Sequence, residues 1–79
     1  MTLLDATPTT SLESSGVTWR LADTDFWVAS ANGYFGGTID HDGGHFYVRD
    51  TFATYLGDFT DLVRAQAHLE AHLERLRRA

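Results

Sequence analysis

A chain of 79 residues with a net charge of −5 holds a single domain and can bury only a small core. It contains no cysteine, which excludes a disulfide framework and thiolate metal ligands, and its acidic balance argues against a duplex-binding surface, which needs a positive footprint to neutralise phosphates. No apolar run approaches the ~18 residues of a membrane-spanning helix, and the N-terminus lacks the basic and apolar regions of a secretory signal, so a cytoplasmic chain is expected.

Residues 1–15, MTLLDATPTTSLESS, are rich in Thr and Ser, hold the only proline and show no periodicity. They read as a disordered arm, leaving residues 16–79 as one domain. All the aromatic residues (two Trp, three Tyr and five Phe) lie between Trp19 and Phe59. Rings bury more area than aliphatic side chains, so this density is how so short a segment finds a core.

The strands are read from their turns. Asn32-Gly33 lies between two alternating runs and predicts a type I′ hairpin, which needs positive φ at both central residues. That turn sets Phe26 opposite Ile39 and Val28 opposite Gly37. A second turn at Asp42-Gly43 sets Ile39 opposite Phe46, and a tight turn at Asp23-Thr24 sets Trp19 opposite Val28. The three turns agree on one inner face: Val17, Trp19, Leu21, Phe26, Val28, Ser30, Phe35, Ile39, Phe46, Val48 and Asp50. Gly36 and Gly37 can leave room for Trp19 and a helix, or host a bulge. A loop of three to five residues then leads into a short fifth strand, Tyr55-Leu56-Gly57.

From Phe59 the spacing becomes helical. Phe59, Leu62, Gln66, Leu69, Leu73 and Leu76 form one stripe with Gln66 as its polar interruption. Thr60 or Asp61 can cap the start, and the terminal Arg residues suit the negative pole of the helix dipole. The expected fold is α+β: a twisted antiparallel β-meander of four to five strands with one C-terminal helix packed on one face.

The same alternation leaves an outer row Arg20–Trp27–Thr38–Tyr47, with Arg49 one row over and Tyr34 and Tyr55 near one end. Trp, Tyr and Arg are the residue types that concentrate at interface hot spots. The candidate partner-binding residues are therefore Arg20, Trp27, Tyr34, Tyr47, Arg49 and Tyr55, facing a protein partner or a second copy in a homodimer. An aromatic sheet face can also stack nucleobases. Here only Arg20 and Arg49 would meet the phosphates, amid several acids, so nucleic acid is not the expected ligand. A phage-type acidic inhibitor or nucleic-acid mimic is the alternative that the charge permits.

The wording FWVASANGYFGGTI followed by LGDFTDLVRAQAHLEAHL resembles small proteins of actinobacteria and their phages, in which short strands ending in G-x-F precede one amphipathic helix. Having all six basic residues as Arg and none as Lys fits such a source. The resemblance implies fold and origin rather than an activity, since these families have no assigned reaction. In topology alone the chain is also similar to the arm-binding domains of phage-type integrases, none of whose motif residues it matches.

Chemistry-bearing residues are sparse. His68 and His72 stand at i, i+4, the spacing at which two imidazoles can share a metal, but His68 points nearly opposite the Leu stripe, His72 lies on its flank and Glu70 and Glu74 do not complete one compact site, so both read as solvated helix residues. The DHDGG stretch lacks the later ligands of a calcium loop. Ser30 is expected inside the sheet and no Gly-rich phosphate loop opens the helix, so no catalytic residue, metal, cofactor or small-molecule substrate is assigned. Asp50, an acid at an inner position at the end of its row, is expected to reach solvent or loop backbone, and burial would raise its pKa. The chain reads as a non-enzymatic interaction module that self-associates through an aromatic sheet face or a sheet edge.

Overall fold

The structure, a computed structural model, describes residues 16–78; the arm expected over residues 1–15 lies outside them. Five strands form one antiparallel sheet in chain order: β1 (Val17–Asp23), β2 (Phe26–Ala31), β3 (Tyr34–Asp42), β4 (His45–Asp50) and β5 (Tyr55–Phe59). Helix α1 (Leu62–Arg78) follows and crosses the β3–β5 side of one face. The α+β meander with one helix on one face is thus the fold of this chain. Among the described residues no helix is long and apolar enough to cross a membrane.

Asn32 (φ 53°) and Gly33 (φ 87°) make the type I′ turn between β2 and β3, as their residue types dictate. The other two turns fall one residue later than the dipeptides that announce them. Asp25 takes positive φ (57°) between β1 and β2, and Gly43 and Gly44 (60° and 81°) turn between β3 and β4. With two adjacent glycines available, the turn avoids placing Asp42 in the left-handed region. The β3–β4 register consequently moves by two residues, to Ile39↔Val48 and His41↔Phe46. A shift of two preserves every side chain's face, so Ile39, Phe46, Val48 and Asp50 remain on the helix side.

Strand β2 is different. Beyond Ser30↔Phe35 the β2–β3 register slips by one at a bulge, and Ala29 pairs with Gly37 and Trp27 with Ile39. The β1–β2 ladder likewise pairs Trp19 with Ala29 and Leu21 with Trp27. A one-residue slip on each flank reverses β2 relative to β1 and to β3 from Gly37 onward. Trp27, Ala29 and Ala31 therefore face the helix, whereas Phe26, Val28 and Ser30 face outward, which corrects the face expected for each. Phe35, before the bulge, also lies outward and is half exposed.

The reason for the bulge is close packing. A Cβ on Gly37 would stand 2.4 Å from the Arg49 carbonyl oxygen and about 3.0 Å from Leu69 Cδ2, and its φ of +150° is one that side chains rarely adopt. A Cβ on Gly36 would reach Leu73 Cδ1 at 2.9 Å. Two consecutive glycines thus lie under one helix, an arrangement that regular alternation forbids and a bulge permits.

The core is Val17, Trp19, Ala29, Ile39, Val48, Ala65 and Leu69, with Trp27, Ala31, Phe46, Leu56, Phe59, Leu62 and Leu73 packed around it. Phe59 ends β5 rather than opening the helix, yet it contributes to the same core. Asp61 caps α1, its Oδ1 accepting the Val63 amide at 3.3 Å. Trp19 closes the core on the β1 side and donates its indole N–H to Glu70 Oε2 at 2.8 Å. Burial raises the Glu70 pKa, and the Trp19 bond partly offsets it.

Candidate functional site

Among the described residues no element covers the side of the sheet opposite α1. The described molecule is only 18 Å along its thinnest axis, the depth of one sheet and one helix layer. Cross-strand partners project to the same side, so the registers assign this outer face row by row. One row is Thr18–Ser30–Phe35; the central row is Arg20–Val28–Thr38–Arg49–Tyr55; the third is Phe26–Asp40–Tyr47–Asp58.

Four of the six residues expected on this face are there. Arg20, Arg49 and Tyr55 share the central row and Tyr47 lies in the next. Trp27 does not join them. It packs on the core from the helix side, its ring 5.8 Å from that of Phe46. Tyr34 also falls away from the face, since it pairs with the inward Ala31 across the turn, although it is 78% exposed. In their place the bulge presents Phe26, Val28 and Phe35, which alternation counted from the turns assigns to the core. The Gly36-Gly37 pair is the one signal from which this substitution could be read.

The two ends of the outer face differ in chemistry. The end near the Asn32-Gly33 turn and the β4–β5 loop is apolar, with Phe35, Phe52 and Tyr55 all at least half exposed. Burial, and then the neighbouring Asp58 carboxylate, push the Tyr55 phenol up. The opposite end is acidic. A groove of about 680 Å³ opens there, lined by Phe26 and Tyr47 with Asp23, Asp25, Asp40 and Asp42. Three of those acids hold internal partners: Asp40 Oδ2 accepts from Arg49 Nη1 at 3.2 Å, Asp25 Oδ1 lies 3.2 Å from His41 Nδ1, and Asp23 Oδ1 accepts the Thr24 amide at 2.8 Å. Arg20 makes no ion pair among the described residues.

Of the remaining titratable residues His45 joins this face, its Nδ1 3.9 Å from Asp58 Oδ1 and its ring 6.1 Å from that of Tyr47, whereas the helix histidines do not. His68 packs its ring 5.1 Å from that of Phe59, whereas His72 Nε2 faces Asp50 Oδ2 at 3.5 Å on the helix side of the sheet. Among the described residues no three His, Asp or Glu side chains come together as a metal site. Asp50 is buried, and its Oδ1 accepts the Phe52 and Thr54 amides, each at 2.9 Å. This is the expected bond to loop backbone. The pKa moves opposite to expectation, however: the Thr54 bond lowers it, outweighing the burial that raises it. Ser30 lies on the outer face rather than inside.

Comparison of the chain with known protein families, with curated proteins and with solved structures finds no match to any of them.

Proposed function

We propose that this protein is a non-enzymatic protein-interaction module whose recognition surface is the side of its sheet opposite α1, and that the protein also self-associates. One observation carries the reading: the face left bare by α1 sets Phe26, Val28, Phe35, Tyr47 and Tyr55 around Arg20 and Arg49. Apolar rings bordered by a few fixed charges are the composition of an interface centre. A monomer of this size would gain little from keeping such a patch in water. The Arg49–Asp40 pair fixes one cation of the patch in place, which lowers the entropy lost when a partner is bound.

A second reading draws on the acidic end. The carboxylates around the Phe26–Tyr47 groove favour a partner with a basic surface, as an acidic inhibitor or nucleic-acid mimic would require. The same charges oppose direct binding of nucleic acid.

The double variant Phe35→Ser/Tyr55→Ser tests the primary reading. Both side chains are at least half exposed, so folding is expected to survive. Wild-type protein used as bait in the producing cell should retain one partner protein in stoichiometric amount, and the variant should lose it. Equal recovery by both proteins sinks the outer face as the contact surface. Basic partners that elute with salt and survive the double variant would favour the second reading.

A further inference from the structure

We infer that β1 is a second, separate contact surface, which pairs antiparallel with β1 of a second copy over Val17–Leu21 about a two-fold axis at Trp19. The inference rests on the self-associating interaction module proposed above and names the route by which two copies meet.

Among the described residues the sheet has two free edges, β1 and β5, and they are not alike. Strand β5 spans five residues, its ladder with β4 is irregular beside Arg49, Gly57 takes φ 144°, and the chain turns from it into α1 after Thr60 and Asp61. Short, bulged edges next to a helix are poor templates for another strand. Strand β1 spans seven residues, VTWRLAD, with no proline and no lysine, and its ladder with β2 is regular from Val17 to Leu21. Alternate N–H and C=O groups along such an edge point away from the sheet and accept a further strand. Leu21 adds an apolar reason: it lies on the helix side, opposite Trp27, yet is 55% exposed.

The sequence of β1 fits itself in one register. Pairing must set odd residues against odd ones, so that helix-side chains meet helix-side chains. A centre on Arg20 places two guanidiniums directly opposite each other, which is repulsive. A centre on Leu21 draws the irregular stretch before Asp23 into the ladder and sets that carboxylate against Trp19. A centre on Thr18 leaves only Val17 to Trp19 paired. The centre on Trp19 uses the whole regular stretch. Leu21 then meets the partner's Val17, Thr18 meets the partner's Arg20, and the two Trp19 residues adjoin across the axis.

A two-fold axis normal to the sheet keeps both helices on one side and both outer faces on the other. The five-stranded sheet is doubled, and the two recognition faces become one continuous surface, which strengthens binding to any repeated partner through effective concentration.

The test is sedimentation equilibrium of the described chain with its N-terminal residues, between about 10 µM and about 1 mM, the range in which a small edge interface associates. Wild type should dimerise. Thr18→Arg puts a second guanidinium opposite the partner's Arg20 and should weaken the dimer at least about tenfold. Thr18→Arg/Arg20→Glu restores opposite charges across the axis and should recover it. A wild type that stays monomeric, a Thr18→Arg variant that dimerises unchanged, or a double variant that fails to recover each overturns the inference. Amide exchange on the wild type gives a reading independent of substitutions: protection within Val17–Leu21 should rise with concentration, and constant protection overturns the edge pairing. Phe35→Ser/Tyr55→Ser should leave the dimer intact. If that variant abolishes the dimer and Thr18→Arg does not, the edge inference falls while the outer-face reading stands.

Discussion

Asp50 is a carboxylate on the covered side of a sheet, where an unpaired charge would be costly. The β4–β5 loop supplies what it needs. Ala53 turns through positive φ (65°), an uncommon conformation for a side-chain-bearing residue, and this brings the Phe52 and Thr54 amides onto one carboxylate oxygen. The other oxygen faces His72 of α1, so one residue ties the loop to the helix. Its pKa lies below the ordinary 3.8 because those bonds favour the ionised form more than burial disfavours it. A lowered carboxyl contributes stability that is complete above the unfolded value and is lost as pH falls through the folded one. Urea denaturation at a series of pH values should therefore show wild type losing stability below about pH 4 more steeply than Asp50→Asn. Parallel profiles for the two proteins would mean that the carboxylate is not linked to folding.

At the scale of the element, the bulge decides the faces. Strand β2 has an apolar residue at nearly every position, FWVASA, so either of its faces could be buried, and its own alternation does not choose. The choice is made on β3, where Gly36 and Gly37 let α1 approach through Leu69 and Leu73. Gly37→Ala combines a strained φ with a clash against backbone, which cannot yield as a side chain can. It should cost about 2–4 kcal/mol of unfolding free energy. Gly36→Ala meets only the flexible end of Leu73 closely and should cost less than Gly37→Ala in the same measurement. Equal small losses at both positions would show that the bulge is not enforced by packing.

At the scale of the whole molecule, one helix cannot cover a five-stranded sheet on both sides, and the chain has no second helix among its described residues. Stability must then come almost wholly from the helix side. Trp27→Ala should lower unfolding free energy by about 2–4 kcal/mol, because the ring packs on the core and leaves a cavity. Tyr47→Ala, on the bare side, should lower it by less than about 1.5 kcal/mol, mainly through lost cross-strand contact. Chemical denaturation of both variants checks the contrast. A Trp27→Ala protein as stable as wild type would place that ring outside the core after all. If the bare face is a contact surface, the two variants should also separate by phenotype, Trp27→Ala through folding and Tyr47→Ala through association.

The sequence by itself determined the elements: the Asn32-Gly33 turn, the meander order, the change to helical spacing after the last strand and a cap at Thr60 or Asp61 all follow from local conformational preference. It also determined the inner sides of β1, of β3 from Gly37 onward and of β4, since a turn that falls one residue later moves the register by two and leaves faces unchanged. Arg20, Tyr47, Arg49 and Tyr55 were legible as outer residues for that reason. The placement of Trp27, Phe26, Val28 and Phe35 was not, because it depends on a one-residue slip created where α1 lands on Gly36 and Gly37. That contact joins positions more than thirty apart in the chain, Gly36 to Leu73 and Gly37 to Leu69. Alternation is a local property, and its phase is carried forward from the nearest turn. Only a close approach between layers can reset that phase, so the tertiary structure alone decided which rings were buried and which were left to meet a partner.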